Sequence, residues 1–147
     1  MPAEIVRVQI DEQLQEALAI RKAVFVEEQN VSIEEEIDDY DSLDAESHHL
    51  LLQEGGQFVA AGRIKHFNED SAKLQRVAVL MPFRSKGYGR VLILAMEELA
   101  RELGFKYAVL DGQVQAEGFY RKLGYEVISE EPFYDANILH VRMQKKL

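Results

Sequence analysis

Between Leu80 and Arg90 the chain reads Leu-Met-Pro-Phe-Arg-Ser-Lys-Gly-Tyr-Gly-Arg, and no other stretch narrows the possible folds as far. Before it, residues 73–80 have the alternation of a strand, and Pro82 stops that strand because proline cannot donate to a sheet ladder. After it, Tyr88, Leu92, Ala95, Met96, Leu99 and Leu103 recur at the spacing of one helix face, which predicts a helix over 84–103. The first amides of a helix have no internal partner, and the helix dipole adds positive potential beside them. Gly87 and Gly89 would let an anion approach that backbone closely, and Arg84, Lys86 and Arg90 would add charge. There is neither the Gly-Lys-Ser/Thr of a P-loop nor the three glycines of a dinucleotide fingerprint. The junction is therefore a candidate phosphate site, with helix packing as the alternative use of its glycines.

The remaining pattern alternates short strands with few helices. Val6, Val8 and Ile10 suggest a first strand, and Asp11 is expected to cap a helix whose apolar side is Leu14, Ala17, Leu18, Val24 and Phe25. Residues 48–53 and 57–67 read as a hairpin around Gly55-Gly56. After the long helix, Gly104 is placed to end it, 106–110 reads as a buried strand, and a shorter helix over 116–123 ends on Gly124. Strands over 126–129 and 138–144 complete the chain. Hairpins followed by one strand–helix–strand crossover imply an α+β fold with a mixed sheet.

A chain of 147 residues suits one domain, expected over 1–147. No apolar run approaches the roughly 20 residues that span a bilayer, and the Met-Pro-Ala-Glu-Ile start is not that of a secretion leader. No cysteine is present, which excludes disulfides, thiolate nucleophiles and cysteine zinc sites and agrees with a cytoplasmic setting. The net charge of −9 is uneven. Ten acids and no Lys or Arg lie between Glu27 and Glu46, whereas 63–90 is basic. A nucleic-acid binder is disfavoured. The basic centre suits a small polyanion, and the acidic segment is either a solvated loop or a face for a cationic partner.

Arg84-x-x-Gly87-x-Gly89 after Leu74-Gln75-Arg76-Val77-Ala78-Val79 resembles the pyrophosphate signature of the GNAT superfamily of acyl-CoA-dependent N-acetyltransferases. Gln113-x-x-Ala116-x-x-Phe119-Tyr120-x-x-Leu123-Gly124-Tyr125 resembles its second signature. Val24 to Val31, the acidic run through Asp38 and the ending Asp135 to His140 are similar to a small bacterial subfamily. The resemblance implies a mixed, mostly antiparallel sheet of six to seven strands flanked by about four helices. It implies acetyl-CoA as cosubstrate, with Val77, Ala78 and Val79 beside the pantetheine arm and Gln113 and Tyr120 contacting it. The pyrophosphate would sit on Arg84, Ser85, Lys86, Gly87, Tyr88, Gly89 and Arg90. It also implies a bulged strand that frees an amide, assigned to Val79, to polarise the thioester carbonyl. Tyr120 would protonate the departing thiolate.

Without a cysteine or a serine elbow, direct attack of the amine in a ternary complex is the expected chemistry. Glu28 and Glu27 are the candidates for base and amine contact, with His140 added by the subfamily resemblance. His48 and His49 are adjacent in a strand and point to opposite faces, so they cannot share a metal, and no metal site is expected. The acceptor is a small-molecule or protein amine, with neither nucleic acid nor membrane as partner, and the protein a monomer or homodimer. Two other readings use the same residues: a catalytically silent acyl-CoA sensor or scaffold, and a binder of a nucleotide other than CoA.

Overall fold

The computed structural model describes residues 3–147; Met1 and Pro2, with which the start read as leaderless and the domain expected over 1–147 begin, lie outside the described residues. The elements run β1 (Ala3–Arg7), α1 (Asp11–Arg21) continued by a π-helical segment (Lys22–Glu28), α2 (Ile33–Glu36), β2 (Ser47–Glu54), β3 (Gln57–Asn68) and β4 (Ser71–Val79). A 3₁₀ turn (Met81–Phe83) leads to α3 (Tyr88–Glu102) and β5 (Tyr107–Gln113). A second 3₁₀ turn (Val114–Ala116), α4 (Glu117–Lys122), β6 (Glu126–Val127), β7 (Phe133–Asp135) and β8 (Ile138–Lys146) follow. One sheet takes the order β1-β2-β3-β4-β5-β8-β6, with β7 also on β8. Among these pairs only β4–β5 is parallel, so the fold is the mixed, mostly antiparallel α+β class, with eight strands among the described residues in place of six to seven. Among the described residues no helix is long and apolar enough to cross a membrane.

The run Leu50-Leu51-Leu52 is apolar without alternation because this part of the sheet is covered on both faces. Leu50, Leu52, Ile64 and Leu74 pack with Leu92, Ile93, Met96 and Leu99 of α3. Leu51, Ala61 and Ala78 pack with Ala17, Ile20 and Val24 of α1 and the π-helical segment.

Several elements differ from the sequence reading, and β1 ends at Arg7, short of Val8 and Ile10. The long helix starts at Tyr88 instead of Arg84, because Ser85 (φ 68°) and Gly87 (φ 80°) are left-handed and cannot be helical. Asp11 is the first helical residue, not the cap; Ile10 is extended, and the Gln13 side chain accepts from the amides of Gln9 (2.7 Å) and Ile10 (3.3 Å). The strand expected over 126–129 pairs only at Glu126–Val127. β7 was not foreseen: Ala136 (φ 51°) and Asn137 (φ 64°) form its two-residue turn, and alanine in the first place hides the usual turn signal.

The acidic segment is only partly solvated. Glu36, Asp38 and Asp41 face Arg21, Arg63 and Arg76, three charges of each sign. Arg21 and Arg63 are fully buried. Arg21 donates to Glu36 Oε1 (2.9 Å) and the Glu36 carbonyl (2.8 Å), and to both Asp41 oxygens (2.6 and 3.0 Å). Arg63 donates to Asp38 (2.7 and 3.0 Å), Asp41 (2.8 Å) and Gln75 Oε1 (2.6 and 3.0 Å). Burial alone would raise the Asp41 carboxyl, but hydrogen bonds from Arg21 and the Asp38 amide outweigh it and hold it at about 2. Burial wins at Glu36, whose pKa lies above the ordinary value in spite of Arg21 and Arg76.

Removing one partner of a buried ion pair typically costs about 3–5 kcal/mol, so Arg21→Met is expected to lower the melting temperature by on the order of 10 °C. Because the folded-state pKa of Asp41 is depressed, its contribution is present above about pH 4 and is lost as pH falls towards 2, up to roughly 2 kcal/mol. Glu36, raised, acts in the opposite sense. Urea titrations at several pH values should therefore show Asp41→Asn losing stability less steeply than wild type between pH 4 and 2.

Candidate active site

β4 and β5 stay paired for only three residue pairs, Ser71–Tyr107, Ala72–Ala108 and Lys73–Val109. Beyond them the strands separate, and a cavity of about 220 Å³ opens between their edges. Leu74, Arg76 and Val77 line it from β4 and Leu110, Asp111 and Gln113 from β5, and Tyr120 and His140 also face it.

β4 carries its bulge at this opening. Ala61 pairs with Ala78 and Arg63 with Gln75, so Arg76 and Val77 together oppose Gly62. Arg76 is left-handed, φ 58°. The Leu80 amide donates to the Val59 carbonyl (2.9 Å), so by alternation the amides of Val79 and Val77 face the edge that β5 has left. This corrects the assignment of the bulge amide to Val79. Val79 lies beyond the bulge, paired with Ala60, and its carbonyl accepts from Arg84 Nε (2.9 Å). Val77 is the residue at the bulge. Ala78 is also corrected: its side chain is buried against α1 and its amide turns towards β3.

Tyr120 stands on α4 against Gly112 of β5. A Cβ at position 112 would come within 2.8 and 2.9 Å of the Tyr120 ring, so glycine there is what lets the ring lie against the strand. Phe119 and Tyr125 meet the ring edge-on. Among the described residues the hydroxyl makes no hydrogen bond, and burial pushes its pKa above 10. His140 reaches the same cavity from β8, stacked on Phe133 at 6.2 Å. Its Nδ1 lies 2.7 Å from the Ile138 carbonyl, which can only accept, so Nδ1 carries the proton and Nε2 of the neutral ring is an acceptor. Gln113 lines the cavity but spends its amide on Gln29 (3.2 Å) and Gln115 (2.5 Å).

The two glutamates do not join this group. Glu28 holds Arg84 through both oxygens (2.9 and 2.8 Å), and neither Glu28 nor the exposed Glu27 lines the cavity. The candidate base is therefore corrected, since a carboxylate clamped to a guanidinium away from Tyr120 cannot serve it. Asp111 was missed. It accepts from Arg142 (2.8 and 3.1 Å) and lies 2.8 Å from Lys73; these partners outweigh burial and lower its pKa. One acid within the apolar strand Tyr-Ala-Val-Leu-Asp-Gly was the available signal.

A second groove holds the glycine junction, with Val79, Phe83, Phe119 and residues of 84–90 around it. The Val91 amide makes the first bond of α3, to the Gly87 carbonyl (3.1 Å), so the amides of Tyr88, Gly89 and Arg90 point outwards from the helix start. Lys86 and the Tyr88 hydroxyl are drawn to Glu54 (3.1 and 2.5 Å). With Arg84 on Glu28, Arg90 is the junction cation that makes no ion pair among the described residues. His49 is buried with its ring beside the Tyr40 carbonyl (3.2 Å), and no group of three or more His, Asp or Glu among the described residues is arranged to hold a metal.

The sheet thus parts between two parallel strands, and the helix that joins them begins with outward amides at the second groove. The profile described as an acetyltransferase (GNAT) domain matches residues 8–147. YjcF of Bacillus subtilis, described as an uncharacterised N-acetyltransferase, is 43% identical over 135 residues, 92% of this chain and 94% of that protein. Escherichia coli ElaA superposes with a TM-score of 0.85 at 25% identity over 98% and 99% of the two chains. An N-acetyltransferase of Thermoplasma acidophilum, solved in complex with coenzyme A, has the same fold (TM-score 0.71, 20% identity, the full length of both). The chain belongs to the GNAT acetyltransferase family and is an acyltransferase.

The groove yields a test of what its glycines are for. Gly87 is left-handed, so any side chain there strains the backbone, whereas a Cβ on Gly89 meets only Phe119 at an ordinary 3.6 Å. Gly89→Val should stay within about 1 kcal/mol of wild-type stability yet bind coenzyme A at least ~10-fold more weakly by calorimetry. Unchanged affinity would make Gly89 a packing residue.

Proposed function

We propose that this enzyme moves an acetyl group from acetyl-CoA to an amine by direct attack in a ternary complex. The pyrophosphate lies on the outward amides of Tyr88, Gly89 and Arg90, and the pantetheine arm runs along the free edge of β4 beside Val77 and Val79. The amine enters where Glu35 and Asp135 line the cavity, since these two make no ion pair among the described residues while Glu36 and Asp111 are already held by arginine and lysine. A lysine-type amine must lose a proton before it attacks, at a cost of about 4–5 kcal/mol at pH 7. His140 Nε2 takes that proton, directly or through water. The nitrogen then bonds to the thioester carbon while the Val77 amide holds the developing oxyanion, the nitrogen gives up its second proton to water, and the carbon–sulfur bond breaks as the carbonyl re-forms. Tyr120, whose raised pKa makes it a weak acid, donates a hydrogen bond to the leaving thiolate, which is protonated finally from solvent.

The observation that carries this reading is the Tyr120 hydroxyl, which lies in the parted sheet without a hydrogen bond among the described residues, since a silent acyl-CoA sensor has no use for it. Calorimetry should show acetyl-CoA binding, and absence of binding at millimolar concentration would remove the acyl-CoA reading. Tyr120→Phe loses no hydrogen bond among the described residues, so its melting temperature should match wild type. Its kcat should fall about 10²-fold or more, with acetyl-CoA affinity little changed. An unchanged kcat would exclude Tyr120 from the mechanism.

A further inference from the structure

We infer that Arg76 is a positioning residue for the oxyanion-holding amide: its side chain, moored in the buried ionic network, holds the β4 bulge that aims Val77 N–H into the cavity. The inference rests on the acyl-CoA reading above and adds a residue whose guanidinium is turned to Glu36, the Glu35 carbonyl and Asp38.

Three observations converge on Arg76. Its backbone is left-handed (φ 58°), a conformation uncommon outside glycine that persists only where surrounding contacts over-determine it. Its guanidinium supplies those contacts, with Nε 3.2 Å from Glu36 Oε2 as an ion pair without hydrogen-bond alignment, and Nη2 at 3.3 Å from the Glu35 carbonyl and 3.5 Å from Asp38 Oδ2. The mooring points are themselves fixed from behind, Glu36 by buried Arg21 and Asp38 by buried Arg63.

The strand opposite is built to accept the bulge. Gly62 is the single residue facing Arg76 and Val77, and a Cβ there would lie 2.7 Å from Met96 Sδ. Sheet pairing alone therefore leaves the bulged pair without partners on β3, and β5 has already departed at Lys73. The bulge is set from the side, by a charged side chain reaching α2 and the loop after it. If the mooring is lost, Arg76 and Val77 can slide towards regular extended backbone, and the Val77 amide turns away from the carbonyl it should polarise.

The test reads carbonyl polarisation without needing an acceptor. Acetyl-CoA labelled with carbon-13 at the thioester carbonyl is bound to wild type, Arg76→Ala, Arg76→Lys and Asp38→Asn, and the carbonyl stretch is followed by infrared difference spectroscopy. Dissociation constants come from calorimetry. Asp38 does not line the cavity, so Asp38→Asn keeps the test valid should Arg76→Ala fail to fold. The wild-type band is expected below that of free acetyl-CoA. Arg76→Ala should lose at least about half of that displacement with Kd within about threefold, Asp38→Asn should lose part of it, and Arg76→Lys should retain part. An undisplaced carbonyl in folded wild-type complex overturns the inference while leaving acetyl-CoA binding intact. A band as displaced in Arg76→Ala as in wild type also overturns it, because sheet pairing then holds the bulge unaided. A large loss of affinity makes Arg76 a ligand contact and overturns it too. No binding by wild type at all removes the acyl-CoA reading and this inference with it.

Discussion

A guanidinium offers five donors, and burying it is tolerable only when they are met. Arg21 and Arg63 meet this demand almost wholly with groups drawn from one short stretch of chain, Glu36 to Asp41, together with Gln75 on the neighbouring strand. That demand shapes the molecule on the α1 side. It folds the acidic stretch back over β3 and β4 instead of leaving it in solvent. It also brings Glu35 and Glu36 to the mouth of the cavity. Compensated charge in the interior thus ties down an otherwise irregular segment.

The α3 side is governed by apolar packing and close approach. Leu92, Ile93, Met96 and Leu99 press on the sheet, and two strand residues without side chains, Gly62 and Gly112, give Met96 and Tyr120 their places. The parted strands therefore separate two chemical surroundings. Tyr120 lies on an apolar face, while Asp111, Arg142 and His140 lie on a polar one.

Much of this was legible in the sequence because it is local. The strand, stop, glycines and helix of residues 74–103 follow from periodicity and from the few residues that tolerate a phosphate at close range, and the order of elements gives the mixed sheet. Tyr120 was found by its motif, and it does stand in the cavity. What escaped was long-range. Nothing in Glu28 announces that Arg84, 56 positions away, will claim it. Nothing in Asp41 announces two buried arginines, since a carboxylate in solvent and one in a network are the same letter. The bulge was anticipated from the resemblance but misplaced, because its position depends on Gly62 across the ladder and on the side chain of Arg76. The Ala136-Asn137 turn lacks its usual residue pair, so β7 left no trace.

The brief pairing of β4 and β5 also has a mechanical meaning. Strands β1 to β4 and strands β5 to β8 make two half-sheets, sewn together by three residue pairs and bridged on one face by α3. Across the remaining length of the seam there is no ladder to carry strain from one half to the other. A pantetheine arm lying there would act as a missing rung, so a filled enzyme would be stiffer across its whole width and not merely around the ligand. Where no arm lies, the halves are joined by those three pairs, by the Lys73–Asp111 ion pair and by α3. The gap between β4 and β5 is thus where the sheet has the least backbone bonding to resist bending.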